Sequence, residues 1–207
     1  MKAKTRELWD KQNQHERDRA RLFTAVAGAT GARSALYPGS YVDLAPSFVF
    51  PAVTYVDSDK RAAAFFEDDD GIHELVAANS GPDHPEIRFF HADYTTDLDL
   101  SSEAFDLLVS LYAGFVSEHC TAYLRVGGSL LVNPSHGDAA MASIDSRYEL
   151  EGVVVSRSGR YRVSRSNLDD YLVPKRPTEI TADLLHESGR GIGYTKSPFA
   201  YLFTRTE

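Results

Sequence analysis

Cysteine is nearly absent. The 207-residue chain has one, Cys120, so no disulfide can form within it, and that usage fits a reducing compartment. No run of about 18 apolar residues occurs, so no helix is expected to span a membrane. Residues 1–21 are rich in charge and lack the apolar segment of a secretory signal; the expected location is cytoplasmic, with no membrane partner. Positive charge is scarce: 22 basic side chains stand against 30 acidic ones, a formal net charge of -8. Tight non-specific binding to nucleic acid needs a field of Lys and Arg, so no nucleic-acid partner is expected. The histidines are scattered, with no His-x-x-x-His pair, and neither a Gly-x-Ser-x-Gly elbow nor a Gly-Lys-Ser/Thr phosphate loop occurs. Metal, serine-hydrolase and P-loop chemistry are therefore not expected.

The residues that are present describe an ordinary globular domain. Hydrophobic residues make up 43% and charged residues 25%, and a chain this long can bury a sizeable core. Residues 5–26 lack Pro and Gly and read as one helix. Leu8, Trp9, Leu22, Phe23 and Val26 give it apolar ends, while positions 12–19 are polar all round. Such a helix lies across a domain surface or meets a partner. Its polar stretch is open to solvent or to a second copy of the chain, as in a homodimer. Residues 1–30 thus form an N-terminal segment able to act as a lid, and residues 31–207 a single domain.

Along that domain, apolar runs alternate with helical spacing. Residues 34–38, 53–57, 87–92, 105–112 and 129–133 read as strands one to five. The fourth is almost continuously apolar, as a strand covered on both faces should be. Asp59 is a plausible N-cap for a helix over 60–66, and a second helical piece covers 72–78. The spacing of Phe115, Val116, His119, Cys120, Tyr123 and Leu124 predicts a further helix, ended by Gly127-Gly128. Pro46 and Pro51 limit the segment after strand one to one or two helical turns. Residues 148–164 read as a hairpin around Ser158-Gly159. A helix over 178–187, with Thr178 as its cap, and a final strand over 199–204 follow. Gly189-Arg-Gly-Ile-Gly193 reads as a helix end and turn. The alternation implies an α/β fold with a mostly parallel sheet.

In open parallel sheets, ligands bind outside the carboxyl ends of the strands. Polar or turn residues stand at each of these ends: Pro38-Gly39-Ser40, Asp57-Ser58-Asp59, Asp93-Tyr94, Tyr112-Ala113-Gly114 and Asn133-Pro134-Ser135-His136. A glycine after strand one lets backbone approach a ligand closely. A carboxylate after strand two can accept both hydroxyls of a ribose. A carboxylate after strand three can accept from an exocyclic amine.

The segments Val53-Thr-Tyr-Val-Asp-Ser-Asp59, His91-Ala-Asp93, Phe105-Asp-Leu-Leu-Val-Ser110 and Leu124-Arg-Val-Gly-Gly-Ser-Leu-Leu-Val132 resemble, in order and spacing, the class I S-adenosylmethionine-dependent methyltransferase family. The resemblance runs over about residues 34–133. It implies a three-layer Rossmann-like fold, with an antiparallel C-terminal strand and an extra β-hairpin. The implied cofactor is S-adenosylmethionine and the implied acceptor a small molecule. The implied cofactor-binding residues are Pro38, Gly39, Ser40, Asp57, Ser58, Asp93, Tyr94 and Tyr112. In that arrangement Asp57 holds the ribose, Asp93 the adenine amine and Gly39 the methionine moiety. Tyr94 lies beside the ring, and Tyr112 faces the transferred methyl group. His136, beside the reaction site, is a candidate general base or a solvated loop histidine; Tyr112 and His136 are the catalytic candidates.

The first loop departs from the family pattern. It has one glycine where the family has a Gly-x-Gly-x-Gly run, and no acid before the turn; Asp43 is a candidate substitute from the far side of the loop. A second reading therefore stands beside the enzyme, a non-catalytic nucleoside-binding or interaction module on the same fold. A nicotinamide-dependent reductase is disfavoured, because strand one lacks the loop that seats a pyrophosphate. Asp57 can also cap the following helix, and Asp93 can serve its own turn. Arg157, Arg160, Arg162 and Arg165 read as a solvated hairpin face or a local basic patch.

Overall fold

β1 (Ser34–Pro38), β2 (Ala52–Asp57), β3 (Glu86–His91), β4 (Phe105–Ser110) and β5 (Leu124–Val132) pair in parallel. Three further strands follow: β6 (Tyr148–Arg157), β7 (Arg160–Ser164) and β8 (Ala200–Arg205). The computed structural model describes residues 1–13 and 18–207. All eight strands form one sheet in the order β3-β2-β1-β4-β5-β8-β6-β7. β8 runs antiparallel to both β5 and β6, and β6 and β7 form the hairpin. The fold is thus α/β and Rossmann-like, with the antiparallel final strand and the extra hairpin that the sequence implied.

Period-two alternation along the strands sorts the core into two halves. Ala35, Tyr37, Val53, Tyr55, Leu107 and Val109 face one side. There they meet α1 (Ala3–Gln12), α2 (Asp18–Thr30), α3 (Lys60–Phe66) and α4 (Asp69–Ala78). Leu36, Val56, Leu108, Leu130 and Val132 face the other, under α5 (Val116–Cys120), α6 (Asp138–Ile144) and α7 (Ala182–Ser188). Each fully buried Leu, Val or Phe side chain contributes about 1.5–3 kcal/mol. Among the described residues, no helix is long and apolar enough to cross a membrane.

Three expectations are corrected. The helix over 5–26 is two helices, because its apolar ends dock at different places on one sheet face. Trp9 is buried edge-on to Phe48, with ring centroids 5.6 Å apart. Leu22, Phe23 and Val26 pack with Tyr37 and the hairpin's Tyr161 and Val163. Residues 14–17, half of the polar stretch, lie outside the described residues. Next, Gly127-Gly128 does not end a helix. A 3-10 turn stops at Tyr123, β5 has already begun at Leu124, and the pairing with β4 jumps between Phe105↔Leu124 and Leu107↔Ser129. Gly127 takes φ +75° at that irregularity; a left-handed glycine serves a bulge as readily as a helix cap. Finally, Thr181, not Thr178, caps α7, accepting the Leu184 N–H at 3.2 Å.

Other local readings agree with the structure. The segment between β1 and β2 holds one 3-10 turn, Ala45–Phe48. Gly189, at φ +56°, closes α7 by donating its N–H to the Leu185 carbonyl.

Candidate functional site

β1 has β2 on one side and β4 on the other, so the strand order reverses beside it. Sheets of this kind place their ligands there, at the carboxyl ends of the strands either side of the switch, here β1 and β4. Pro38 is buried, and Gly39 follows at φ +65° with its N–H on the Val56 carbonyl at 2.8 Å. A Cβ on Gly39 would lie 2.8 Å from the Ala113 Cβ and 3.8 Å from the Tyr94 ring. Both the backbone angle and the space therefore demand glycine.

Asp57 joins the first two loops. One carboxylate oxygen accepts the Tyr41 N–H at 2.7 Å, the other the Asp59 N–H at 2.8 Å. Each oxygen keeps acceptor capacity for a further donor, as a pair of hydroxyls would need. Capping α3 falls to Asp59, which accepts the Arg61 N–H at 2.7 Å. Ser58 is exposed, and its carbonyl lies 3.0 Å from His91 Nε2. Beside this corner, Leu8, Lys11 and Gln12 of α1 face Tyr41 and Arg61 across an open cleft of about 350 Å³. The Arg61 guanidinium lies 5.1 Å above the Tyr41 ring.

Tyr94 packs against the loop after β4, whereas Asp93 bonds within its own turn. The Tyr94 hydroxyl accepts the Gly114 N–H at 2.9 Å, and its ring meets His119 edge-on. Asp93 stays exposed and accepts from the backbone N–H and the hydroxyl of Thr95 at 2.9 and 2.8 Å. Those bonds hold its carboxyl below the usual range. In this structure it serves its own turn.

At the end of β4, Tyr112 takes φ 61° and is 53% exposed. A left-handed conformation at a non-glycine residue costs about 1–3 kcal/mol and clusters at functional sites. Its N–H donates to Asn133 Oδ1 at 3.3 Å. Ser135 donates to the same oxygen at 2.8 Å and lies 2.8 Å from His136 Nδ1. With its proton given to Asn133, Ser135 has a lone pair for His136 Nδ1–H, and His136 itself is exposed.

Two constellations were not assembled by sequence reasoning, which named Asp43 but neither Arg19 as its partner nor Asp138. In the first, Arg19 of α2 reaches over the rim. Its Nε lies 3.5 Å from Asp43, and its guanidinium carbon lies 5.1 Å from the Tyr112 ring centroid. Asp43 is buried and accepts the Tyr37 hydroxyl at 3.2 Å and the Ala45 N–H at 3.2 Å. Burial pushes its pKa up, against the pull of Arg19 and these two donors. Asp43 thus lies beside the Tyr37 side chain of β1, the loop acid against the strand that lacks one. Arg19 Nη1 and Ser40 Oγ are buried with no partner among the described residues. In the second, Asp138 lies fully buried below the carboxyl ends of β4 and β5. It accepts the hydroxyls of Ser110 and Ser117 and the Ser117 N–H, the last at 3.1 Å. Burial pushes its pKa up to about 6 despite those donors. The only local signal was an acid in the first turn of α6; its partners come from other elements.

Ser40 Oγ and Arg19 Nη1 thus have unfilled hydrogen-bonding capacity, as do the Asp57 oxygens. Over Gly39 itself, Ala113 and Tyr94 lie in contact, so a ligand there must displace the loop after β4.

No family model and no curated protein matches the sequence. Solved structures similar to it include a candidate S-adenosyl-L-methionine-dependent methyltransferase from Methanococcus maripaludis, at 14% identity and TM-score 0.47. That alignment covers 61% of each chain, so this protein spans about three fifths of that one. The O-methyltransferase TomG from Streptomyces achromogenes, in complex with SAM, aligns at 13% identity and TM-score 0.49 over 79% of this chain and 87% of its own. The N-methyltransferase NodS from Bradyrhizobium japonicum, in complex with S-adenosyl-L-homocysteine, aligns at 16% identity and TM-score 0.44 over 74% and 88%. The fold assignment rests on the chain's own strand order and pairing: a Rossmann-like α/β domain.

Proposed function

We propose that the protein is an S-adenosylmethionine-dependent methyltransferase acting on a small-molecule acceptor in the cytoplasm. The observation that carries this reading is unfilled hydrogen-bonding capacity around the end of β1. Asp57 has two carboxylate oxygens with room for further donors, and Ser40 Oγ and Arg19 Nη1 are buried without a partner among the described residues. In this reading Asp57 accepts the ribose hydroxyls, Tyr94 flanks the adenine, and Arg19 with Ser40 takes the amino-acid carboxylate. The cofactor, when bound, supplies an electrophilic methyl group on a sulfonium. The chain then has to hold acceptor and donor in line and exclude water, which is where much of the acceleration of such a displacement lies. Tyr112 borders the reacting end, and exposed His136 is available to take a proton from the acceptor. α1 and α2, which bring Leu8, Lys11 and Arg19 to the rim, act as a lid.

Calorimetric titration tests this. S-adenosylmethionine and S-adenosylhomocysteine should both bind, and Asp57→Asn should weaken them about 10- to 100-fold, the value of a charge-assisted pair of hydrogen bonds. No binding at millimolar ligand refutes it. The packing of Ala113 and Tyr94 over Gly39 favours the second reading, a nucleoside-binding module without turnover. There adenosine binds as tightly as the full cofactor. In the enzyme reading, the cofactor outbinds adenosine at least tenfold, because Ser40 and Arg19 gain partners.

A further inference from the structure

The hairpin carries a cluster of charge that the candidate site does not use. Arg157 stands directly opposite Arg160 across the β6–β7 pair, and Val155 stands opposite Arg162. Val154, Tyr161 and Val163 point to the α2 side and join that core, whereas Val155 packs on the opposite side of the sheet. By alternation Arg157, Arg160 and Arg162 share the face of Val155. Together with Val155, Ser156 and Tyr161 they line one open cleft of about 780 Å³ around the end of the hairpin. Arg165, their sequence neighbour, is neutralised separately by Glu151 at 2.7 Å.

Three guanidinium groups on one face repel one another, and like charges directly across a strand pair destabilise it. Among the described residues, none of the three makes an ion pair. The hairpin is held in place all the same. Arg21 donates to the Gly159 carbonyl at 2.8 Å, and the Tyr161 hydroxyl donates to Asp18 at 2.6 Å. An uncompensated set of planar donors on an anchored hairpin is what a compact dianion needs, since guanidinium matches phosphate geometry in bidentate fashion.

Position ties the cluster to the candidate site. β6 runs antiparallel to β8, and β8 antiparallel to β5, so the hairpin tip lies at the same edge of the sheet as Tyr112 and His136. Three strand steps separate β4 from β6, about 14 Å at the usual spacing. We propose that Arg157, Arg160 and Arg162 form an anion-binding wall that holds a phosphate carried by the small-molecule acceptor. The anion site stands on the hairpin alone; its role toward an acceptor rests on the methyltransferase reading. A nucleic-acid backbone is the poorer occupant, because a chain of net charge -8 offers no extended basic track.

The test measures binding of inorganic phosphate at fixed ionic strength, by calorimetry or NMR. It uses the full chain and the variants R157Q/R160Q/R162Q and R157K/R160K/R162K, with circular dichroism to confirm folding. One phosphate should bind per chain. The glutamine variant should lose at least about tenfold in affinity, and the lysine variant, which keeps the charge but not the fork, several-fold. S-adenosylmethionine binding should be unchanged in both. No saturable phosphate binding by the wild-type chain overturns the proposal, as does equal binding by the glutamine variant. Equal binding by the lysine variant overturns the bidentate site in favour of diffuse attraction. If phosphate binds as expected while S-adenosylmethionine does not, the cofactor reading fails and the anion site stands. With the cofactor bound and phosphate not, only the anion site fails.

Discussion

Replacing Asp138 separates a buried charge from a buried hydrogen-bond hub. The wild-type carboxylate accepts from two serine hydroxyls and one backbone N–H, yet burial raises its pKa from 3.8 to about 6. The folded-state value lies above the unfolded one, so the folded state binds the proton more tightly. Stability therefore falls as pH rises through 3.8 and levels off above about 6, where the penalty is fully present. The whole shift corresponds to about 3 kcal/mol, of which about 1.4 kcal/mol falls between about pH 5 and pH 7.5. An asparagine side chain in place of Asp138 would keep an oxygen for the Ser117 donors and turn an amide toward the Ser110 oxygen, without the charge. Asp138→Asn should then gain about 1.4 kcal/mol on the wild type between those two pH values. Asp138→Ala leaves two hydroxyls and an N–H buried and unpaired. It should cost about 3–5 kcal/mol, a large share of the roughly 5–15 kcal/mol that holds a domain together. Urea denaturation of the three proteins at both pH values checks this. A difference between Asp138→Asn and wild type that does not change with pH refutes the raised pKa, and an alanine variant as stable as wild type refutes the hub.

Two further outcomes follow from the loops after β1 and β4. Gly39→Ala should destabilise by about 1–3 kcal/mol in thermal unfolding, since the new methyl meets Ala113 at 2.8 Å and φ stays positive. Tyr112→Gly should relieve left-handed strain and raise or preserve the unfolding midpoint, by about 1 kcal/mol at most. The same change should lower methyl transfer at least tenfold by removing the aromatic wall and the surface on which Arg19 rests; loss of stability without loss of transfer would refute the assignment.

Features specified by neighbours in sequence were legible in the sequence. The alternation of strand-like runs with helical spacing gave the parallel sheet, Pro46 and Pro51 limited the segment between β1 and β2 to one or two turns, and Ser158-Gly159 gave the hairpin. Asp57 and Gly39 could be placed because each stands at the end of a recognisable strand. Asp93 could not be told from a turn residue, since an Asp that bonds the N–H two residues on looks the same in sequence whether or not it meets a ligand. Gly127-Gly128 misled for a similar reason, a left-handed glycine being common to caps and bulges. Arg19, Asp43 and Asp138 carried no signal of their pairing, because their partners lie on other elements and burial alone makes those contacts consequential.

The Tyr37–Asp43–Arg19 contact also bears on how the site works. A tyrosine at the end of β1 puts its hydroxyl in the core, and Asp43 answers it from the loop. That carboxylate is then buried, and stripping a buried charge of its partner costs several kcal/mol. Arg19 is the partner, and it comes from α2, so the N-terminal segment completes the first-strand corner rather than decorating it. Arg19 also rests on Tyr112, the residue next to Ala113, which lies against Gly39. A ligand entering over Gly39 must push back Ala113, and with it the tyrosine under Arg19. If that ligand carries a carboxylate, the unpartnered Nη1 of Arg19 meets a second anion as the Tyr112 contact loosens. In the methyltransferase reading, opening of the β4 loop and capture of the anionic end would thereby be coupled through one side chain. A ligand without the carboxylate opens the loop with no such compensation and should bind more weakly for that reason.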